Sequence, residues 1–213
     1  MARFDCVLWD WNGTLVNDVY AALESVNDIL ARRNREPIDL ERYYSLIATP
    51  ITLFYERLFA PEKPDFSAIF REFHEGYDRY ISKYGLACGA RETLETLSRA
   101  GVRQAIISSS ESARLLDQAR TFGVDGFFDR IAGQDGFQAG SKLDTAREYL
   151  RSAGAAPERT LMIGDLEHDA EVARALGVCC LLYSGGHQSR RVLERMGCPV
   201  IGRIPEALEY IEL

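Results

Sequence analysis

The sequence predicts an α/β protein with a doubly wound parallel β-sheet and an all-helical segment inserted after the first strand. Short apolar runs of strand length alternate with helical patterns over most of the chain. That alternation is typical of a parallel sheet covered by helices on both faces. One stretch, from about residue 17 to 85, contains helical patterns alone and does not belong to the alternation.

The first element is a short buried strand. Residues 4–9 form an apolar run that ends at Asp10, and its length and composition suit a strand. Asn12-Gly13 follows as a sharp turn signal. We therefore expect Asp10 to stand at the carboxyl end of the first strand.

The inserted segment is predicted to be a helical bundle. Its first helix begins near Val19, with Asp18 as the expected N-cap. Later, aromatic residues recur at alternating steps of four and three, which predicts a single helix with an aromatic face. The aromatic residues are Phe66, Phe70, Phe73, Tyr77, Tyr80 and Tyr84. The face suits the core of a bundle, and it is also compatible with the wall of a ligand pocket.

Strands and helices alternate again after Gly89. The predicted strands cover residues 102–107, 127–131, 161–163, 178–182 and 200–201. We place the sheet domain at residues 1–16 and 86–213, and the helical domain at residues 17–85.

Polar side chains lie at or just beyond the ends of three predicted strands. In chain order they are Asp10, Asn12, Ser108, Ser109, Ser110, Asp165 and Asp169. Ligands of open parallel sheets bind beyond the carboxyl ends of the strands. The sequence therefore predicts that these side chains converge on one edge of the sheet.

These residues resemble the four motifs of the haloacid dehalogenase superfamily. As they stand in this chain, the motifs are Asp10-Trp11-Asn12-Gly13-Thr14, Ile106-Ile107-Ser108, Lys142, and Gly164-Asp165 with Asp169. They occur in the family's order over nearly the whole chain. The helical insert after the first motif is similar to the C1 cap of the phosphoglycolate phosphatase-like branch, and the resemblance implies a Rossmann-like core.

The resemblance implies a Mg²⁺-dependent phosphatase that hydrolyses a small phosphomonoester. The intermediate would be an aspartyl-phosphate on Asp10. The carboxylates of Asp10, Asp165 and Asp169 would hold Mg²⁺ together with the backbone carbonyl of Asn12. Carboxylate and carbonyl oxygens are the ligands that Mg²⁺ prefers, usually alongside several waters and a phosphate.

The remaining implied roles concern catalysis and phosphate binding. Asp10, Asn12 and Lys142 are the expected catalytic residues, with Lys142 stabilising the transferring group. Ser108 and Ser109 are expected to bind the phosphate of the substrate, together with Lys142. The residues themselves also suggest a simpler alternative for the serines, which is the N-cap of the following helix.

Position 12 departs from the family pattern. Phosphatases of the family usually carry a second aspartate there, which protonates the leaving group and later activates water. An amide cannot transfer a proton, and general acid–base help is worth roughly 10²–10⁴ in rate. Four explanations stay open: a good leaving group such as an acyl phosphate, a proton from the cap or the substrate, a weak or inactive relative that binds a phosphorylated ligand, or deamidation at Asn12-Gly13.

Two related chemistries also stay open. The dehalogenase branch lacks an acid at this position too, but it works without metal and leaves Asp165 and Asp169 unexplained. The phosphonatase branch uses a cap lysine that forms a Schiff base. Lys63 and Lys83 are the lysines of the insert.

Charge and composition exclude several other classes. The net charge of −7, with acids and bases interspersed, disfavours nonspecific nucleic-acid binding. No apolar run reaches the roughly 18 residues of a membrane span, and the N-terminus lacks a signal pattern. Five cysteines without a C-x-x-C pair disfavour a disulfide framework. We expect a cytoplasmic protein without nucleic-acid or membrane partners, and the sequence predicts no particular oligomeric state.

Overall fold

The computed structural model describes residues 3–134 and 141–212. The strands in these ranges are β1 (Cys6–Trp9), β2 (Arg103–Glu111), β3 (Arg130–Gln134), β4 (Thr160–Gly164), β5 (Cys179–Tyr183) and β6 (Val200–Ile201). The helices are α1 (Val19–Ala31), α2 (Leu40–Leu46), α3 (Ile51–Phe59), α4 (Phe66–Tyr80), α5 (Ala90–Arg99), α6 (Ser112–Thr121), α7 (Lys142–Ala153), α8 (Glu167–Leu176), α9 (Arg190–Leu193) and α10 (Ala207–Ile211). None of these helices has both the length and the apolar character needed to cross a bilayer.

The chain divides into two compact units. The first unit comprises Met1–Asn17 and Leu86–Leu213, and the second comprises Asp18–Gly85. The first unit contains all six described strands with α5 to α10, and the second contains α1 to α4.

The six strands form one parallel sheet in the order β3-β2-β1-β4-β5-β6. The central strand β1 pairs with β2 and β4, so that Trp9 lies opposite both Ile106 and Ile163. The strand order reverses between β1 and β4, and ligands of such sheets bind at this switch point. The predicted doubly wound α/β fold is confirmed.

Buried apolar side chains hold the sheet between its helices. All four residues of β1 are fully buried. One face of the sheet packs against α7 and α8 through Leu8, Ile107, Ala146, Met162 and Val172. Burial of this apolar surface is the main force that fixes the strands, at about 25 cal/mol per Å². The rigid end of β1 is therefore a firm support for Asp10.

Two strands, β2 and β3, differ from the sequence prediction by more than two residues at an end. The strand β2 continues beyond residue 107 to Glu111 and thus includes the three serines. The strand predicted at residues 127–131 begins instead at Arg130, because Asp125–Phe127 form a 3₁₀ turn. Phe127 lies in this turn and Phe128 directly follows it, and apolar residues alone do not distinguish a turn from a strand.

The second unit is a small helical bundle with its own core. The buried members of that core include Val26, Ile29, Tyr43, Phe54, Tyr55, Phe59 and Ile69. Phe66, Phe70 and Phe73 are partly buried and pack against it, as the aromatic pattern predicts. The predicted single helix is wrong beyond Tyr80, where α4 gives way to a 3₁₀ turn before Tyr84. Helix ends commonly tighten in this way.

Asp18 precedes α1, but its side chain does not cap that helix. Its carboxylate instead accepts a hydrogen bond of 2.7 Å from the hydroxyl of Tyr77. Both groups are buried, so the bond satisfies two polar groups and ties α4 to the start of α1. Gly76, which directly precedes Tyr77, faces Ser25 so closely that a Cβ on residue 76 would lie 3.1 Å from the Ser25 side chain.

Candidate active site

Three carboxylates meet at the switch point of the sheet. Asp10 follows β1, and its backbone N–H donates to the carbonyl of Ile163 in β4 at 2.8 Å. Asp165 directly follows β4, and Asp169 lies in the first turn of α8. All three are buried, and one carboxylate oxygen from each lies within 4.8 Å of the other two. The predicted convergence of these acids is what the structure shows.

Lys142 lies among these acids. It is the first residue of α7, and its side chain is 3% exposed. Its Nζ donates hydrogen bonds to Oδ1 of Asp10 and, at 2.6 Å, to Oδ1 of Asp169. Burial opposes its positive charge, but the two carboxylates outweigh that effect and raise the pKa of Lys142. The lysine is therefore a fixed positive charge that joins the start of α7 to the carboxyl end of β1 and to the first turn of α8.

The carboxylates carry more negative charge than Lys142 offsets. Burial raises the pKa of Asp10 to about 6; Lys142 opposes this and Asp169 adds to it. Burial also raises the pKa of Asp165 well above its ordinary value, with His187 opposing and the two other acids adding. Buried carboxylates in surplus are costly unless a cation joins them. Their hard oxygens are suitable ligands for Mg²⁺, so the residues present fit this metal.

A chain of hydrogen bonds links β2 to the loop after β1. The Oγ of Ser108 donates to the Oγ of Ser110 at 3.1 Å, and the Oγ of Ser110 donates to Oδ1 of Asn12 at 2.5 Å. The backbone N–H of Ser110 also donates to Ser108 Oγ at 3.1 Å. Ser108 is buried, whereas Ser109 is exposed. The pairing of β2 with β3 is irregular between Ile107 and Glu111, but the hydrogen bonds between Ser108 and Ser110 place these two serines on the same side of the strand.

Sequence reasoning named Ser110 at a strand end but did not give it a role. The extension of β2 through the serines places Ser110 on the same face as Ser108, beside Asn12. The signal that would have found it is the period of two, applied to a strand that continues past residue 107.

Two further residues of this region also lacked a predicted role. The hydroxyl of Thr14 lies 3.3 Å from Asp10 Oδ2 and 3.2 Å from Asp165 Oδ1, and it donates toward both. The backbone N–H of His187, in the loop after β5, donates to Asp165 Oδ2 at 2.5 Å. A usable signal for His187 is its position just beyond β5, because β5 neighbours β4 in the sheet.

Gly13 lets the backbone pass close to Asp165. Its φ of +74° lies in the left-handed region, which glycine adopts without steric cost. A Cβ at this position would overlap the carboxylate of Asp165 and the ring of His187. The turn signal in the sequence thus has a packing reason as well as a conformational one.

A profile of the family described as haloacid dehalogenase-like hydrolase matches residues 7–183. The chain belongs to the haloacid dehalogenase-like hydrolase family. This confirms the resemblance carried by the four motifs and the predicted enzyme class, a hydrolase of this family.

Two curated relatives of similar identity to this chain are named as different phosphatases. The phosphoglycolate phosphatase of Pseudomonas syringae pv. syringae (strain B728a) is 27% identical over 206 residues, which cover 87% of this chain and 71% of that protein. The pyrophosphatase PpaX of Halalkalibacterium halodurans is 26% identical over 178 residues, which cover 83% of this chain and 81% of that protein.

Solved structures of the haloacid dehalogenase-like family share the fold. A predicted phosphatase from Clostridium acetobutylicum matches with a TM-score of 0.84 at 20% identity, over 99% of each chain. CbbY from Rhodobacter sphaeroides, solved in complex with phosphate, matches with a TM-score of 0.78 at 22% identity, over 99% of this chain and 100% of that chain.

Proposed function

We propose that this protein is a Mg²⁺-dependent phosphatase that hydrolyses a small phosphomonoester through an aspartyl-phosphate on Asp10. The observation that carries the proposal is the buried cluster of Asp10, Asp165 and Asp169 around Lys142. Such a concentration of buried charge at a sheet switch point is expensive for folding and is expected where it serves chemistry.

The proposed metal ligands are the carboxylates of Asp10, Asp165 and Asp169 and the backbone carbonyl of Asn12. When bound there, Mg²⁺ would neutralise the phosphoryl oxygens and so allow an anionic nucleophile to approach phosphorus. Thr14 and the backbone of His187 orient Asp165 through the hydrogen bonds described above. Partners that orient a metal ligand support its affinity for the ion.

In the proposed first step, a carboxylate oxygen of Asp10 attacks phosphorus. A bond forms between that oxygen and phosphorus, and the bond from phosphorus to the leaving oxygen breaks. Water then attacks the acyl phosphate, which releases phosphate and restores the carboxylate. Lys142 holds Asp10 in place and offsets charge on the transferring group. Ser108 is proposed to bind the phosphate through its hydroxyl, and Ser109, whose side chain is exposed, through its backbone N–H.

The leaving oxygen receives no proton from Asn12, because an amide has no transferable proton at neutral pH. Asn12 acts instead as a hydrogen-bonding group whose oxygen is held by Ser110. The proposed enzyme therefore acts best on substrates whose leaving group departs as a stable anion.

The substrate is proposed to be small and phosphorylated. Curated relatives are named phosphoglycolate phosphatase and pyrophosphatase, which supports phosphate monoesters and anhydrides as the classes to test first. The helical unit is proposed to act as the cap that reads the rest of the substrate. A cytoplasmic location, where Mg²⁺ and phosphorylated metabolites are available, belongs to the same proposal.

The test is a hydrolysis screen with Mg²⁺ over substrates with different leaving groups. Wild type, Asp10→Asn and Asn12→Asp are compared, with and without EDTA. Wild-type turnover that is lost in Asp10→Asn and in EDTA supports the proposal. Turnover unaffected by EDTA contradicts the magnesium requirement, and turnover retained by Asp10→Asn contradicts the nucleophile.

A non-catalytic phosphate-binding protein is the competing function, and Asn12 is the observation that favours it. The same screen separates the two functions. If wild type fails on every substrate and Asn12→Asp gains activity, the native protein is a binder of a phosphorylated ligand.

A further inference from the structure

The helical unit contains a cavity that the proposed phosphatase chemistry does not use. Its volume is about 170 Å³, and side chains from all four helices line it. Aromatic rings of Phe54, Tyr55, Phe70 and Phe73 form much of the wall. An apolar cavity of roughly 150 Å³ holds one benzene ring in a well-studied case, so this cavity is of the size for a single ring.

Tyr55 gives the cavity wall a hydroxyl, in addition to the polar groups of Tyr43 and His74. The residue is 2% exposed and lies in α3 with its ring against Phe54 and Phe70. Among the residues that the structure describes, no hydrogen bond involves its hydroxyl. Burial alone raises the pKa of Tyr55, which agrees with a phenol that lacks a partner.

The hydroxyl oxygen of Tyr55 is not fully enclosed by protein. No fully enclosed side-chain oxygen or nitrogen of the described chain lacks a hydrogen-bond partner. The oxygen of Tyr55 has no partner and is therefore not fully enclosed, and the cavity is the space that this residue lines. An accessible hydroxyl without a protein partner is free to donate a hydrogen bond to a ligand in the cavity.

The wall also excludes charged ligands. Its described members include neither lysine nor arginine, and His74 is its one basic side chain. A phosphate or carboxylate would be desolvated there without a strong counter-charge, which is costly. The site therefore differs in kind from the acidic cluster around Asp10, which is built for a cation and a phosphate.

We propose that this cavity binds a neutral single-ring group that carries one hydrogen-bond acceptor for the hydroxyl of Tyr55. The aromatic wall supplies dispersion and edge-to-face contacts to the ring. The hydroxyl selects rings with an acceptor over rings without one, because only the former satisfy it.

The proposed ligand is a free small molecule that carries such a ring. Its binding does not rest on the proposed phosphatase function. A binding measurement is therefore independent of turnover.

Phenol and toluene are suitable probes, because they have nearly the same shape and only phenol carries an oxygen. Binding is followed by ¹³C methyl NMR of the full chain, with Val26 as the reporter inside the cavity. We expect saturable shifts with both probes in wild type. Tyr55→Phe should weaken phenol roughly three- to tenfold, the worth of one hydrogen bond, and leave toluene unchanged.

A second variant fills the cavity from its exposed side. Ile51 lines the cavity and is 45% exposed, so Ile51→Trp adds bulk without burying a new side chain in the core. Leu53 lies in the same helix, is 36% exposed and does not line the cavity, so Leu53→Trp is the matched control. We expect Ile51→Trp to abolish the shifts at Val26 and Leu53→Trp to preserve them.

The proposal is overturned if wild type shows no saturable shift at Val26, if Tyr55→Phe binds phenol as tightly as wild type, or if the two tryptophan variants behave alike.

Discussion

The hydroxyl of Ser110 donates a hydrogen bond of 2.5 Å to the side-chain oxygen of Asn12. The bond runs from β2 to the loop after β1, and Ser108 extends it through its own hydroxyl. It orients the amide at the position where phosphatases resembling this chain usually carry a second aspartate. The amide can hydrogen-bond to a substrate, but it cannot supply a proton to a departing oxygen.

We expect Asn12→Asp to change how the rate depends on the leaving group. An acid at this position helps poor leaving groups most, so alkyl phosphates should gain roughly 10²–10⁴ and 4-nitrophenyl phosphate much less. The measurement is kcat/KM across a series of aryl and alkyl phosphates, plotted against the pKa of the leaving alcohol. Ser110→Ala is the control, because it removes the hydrogen bond from Ser110 to the amide without adding an acid. Parallel plots for wild type and Asn12→Asp would refute this role for position 12.

Removing the buried lysine should damage both activity and stability. Lys142→Met leaves Asp10 and Asp169 facing each other without their shared cation, and breaking a buried ion pair costs about 3–5 kcal/mol. Lys83→Met is the control, since Lys83 is 55% exposed and pairs with Glu24 at 3.2 Å on the surface. Urea unfolding in EDTA measures the difference between the two variants. Equal losses of unfolding free energy in the two variants would show that the buried ion pairs of Lys142 stabilise the fold no more than an exposed ion pair does.

Gly13→Ala should disrupt the acidic cluster beyond the cost of its backbone conformation. Gly13 and Gly101 have almost the same φ, +74° and +73°, so alanine pays a similar conformational cost of about 1–2 kcal/mol at either site. A Cβ on Gly13 meets the carboxylate of Asp165, whereas a Cβ on Gly101 meets nothing within 4 Å. We expect Mg²⁺-dependent turnover to fall at least tenfold further in Gly13→Ala than in Gly101→Ala. Equal turnover in the two variants would contradict the placement of Asp165.

The helical unit should lose part of its stability in acid through one ion pair. Arg33 donates two hydrogen bonds, of 2.6 and 3.1 Å, to the two oxygens of Glu72, and this pairing lowers the pKa of Glu72. A lowered pKa means that the pair stabilises the fold above the ordinary pKa of glutamate and stops doing so as the pH falls through the lowered value. The side chains of Arg33 and Glu72 are 28% and 16% exposed, so we expect the pair to contribute about 1 kcal/mol to the free energy of unfolding at pH 7.

The measurement for this pair is the stability difference between wild type and Glu72→Gln at pH 7 and at pH 3. Glu75→Gln is the control, because Glu75 is 54% exposed and pairs with Arg32 at 3.4 Å. The effect of Glu72→Gln should shrink in acid, and Glu75→Gln should have little effect at either pH. A constant difference across pH would contradict the proposed contribution.

The sheet could be predicted because its signals are local. The strands β1, β4 and β5 and the centre of β2 are short apolar runs, and helix-forming patterns separate most of these runs. The acids after β1 and β4 could be placed together because parallel strands end at one edge. The motif resemblance added Lys142, whose burial between two acids no local pattern would have shown.

The contacts between distant segments could not be predicted. Ser110 reaches Asn12 because β2 continues past the expected end, and a few residues of strand length are beyond the precision of apolar patterns. His187 meets Asp165 through a backbone N–H, which leaves no trace in side-chain type. The cavity beside Tyr55 depends on how four helices pack, which the sequence does not show. The aromatic face of α4 was compatible with the wall of a ligand pocket, but it did not predict one.

The central claim is that Asp10 is phosphorylated during turnover. Because Asn12 cannot activate water, the acyl phosphate should persist long enough to trap. The measurement is acid quenching of wild type with substrate and Mg²⁺, borohydride reduction of the acyl phosphate, and mass spectrometry of the peptide that contains residue 10. We predict conversion of Asp10 to homoserine in wild type and none in Asp10→Asn. Steady turnover without any modification of Asp10 would contradict the account.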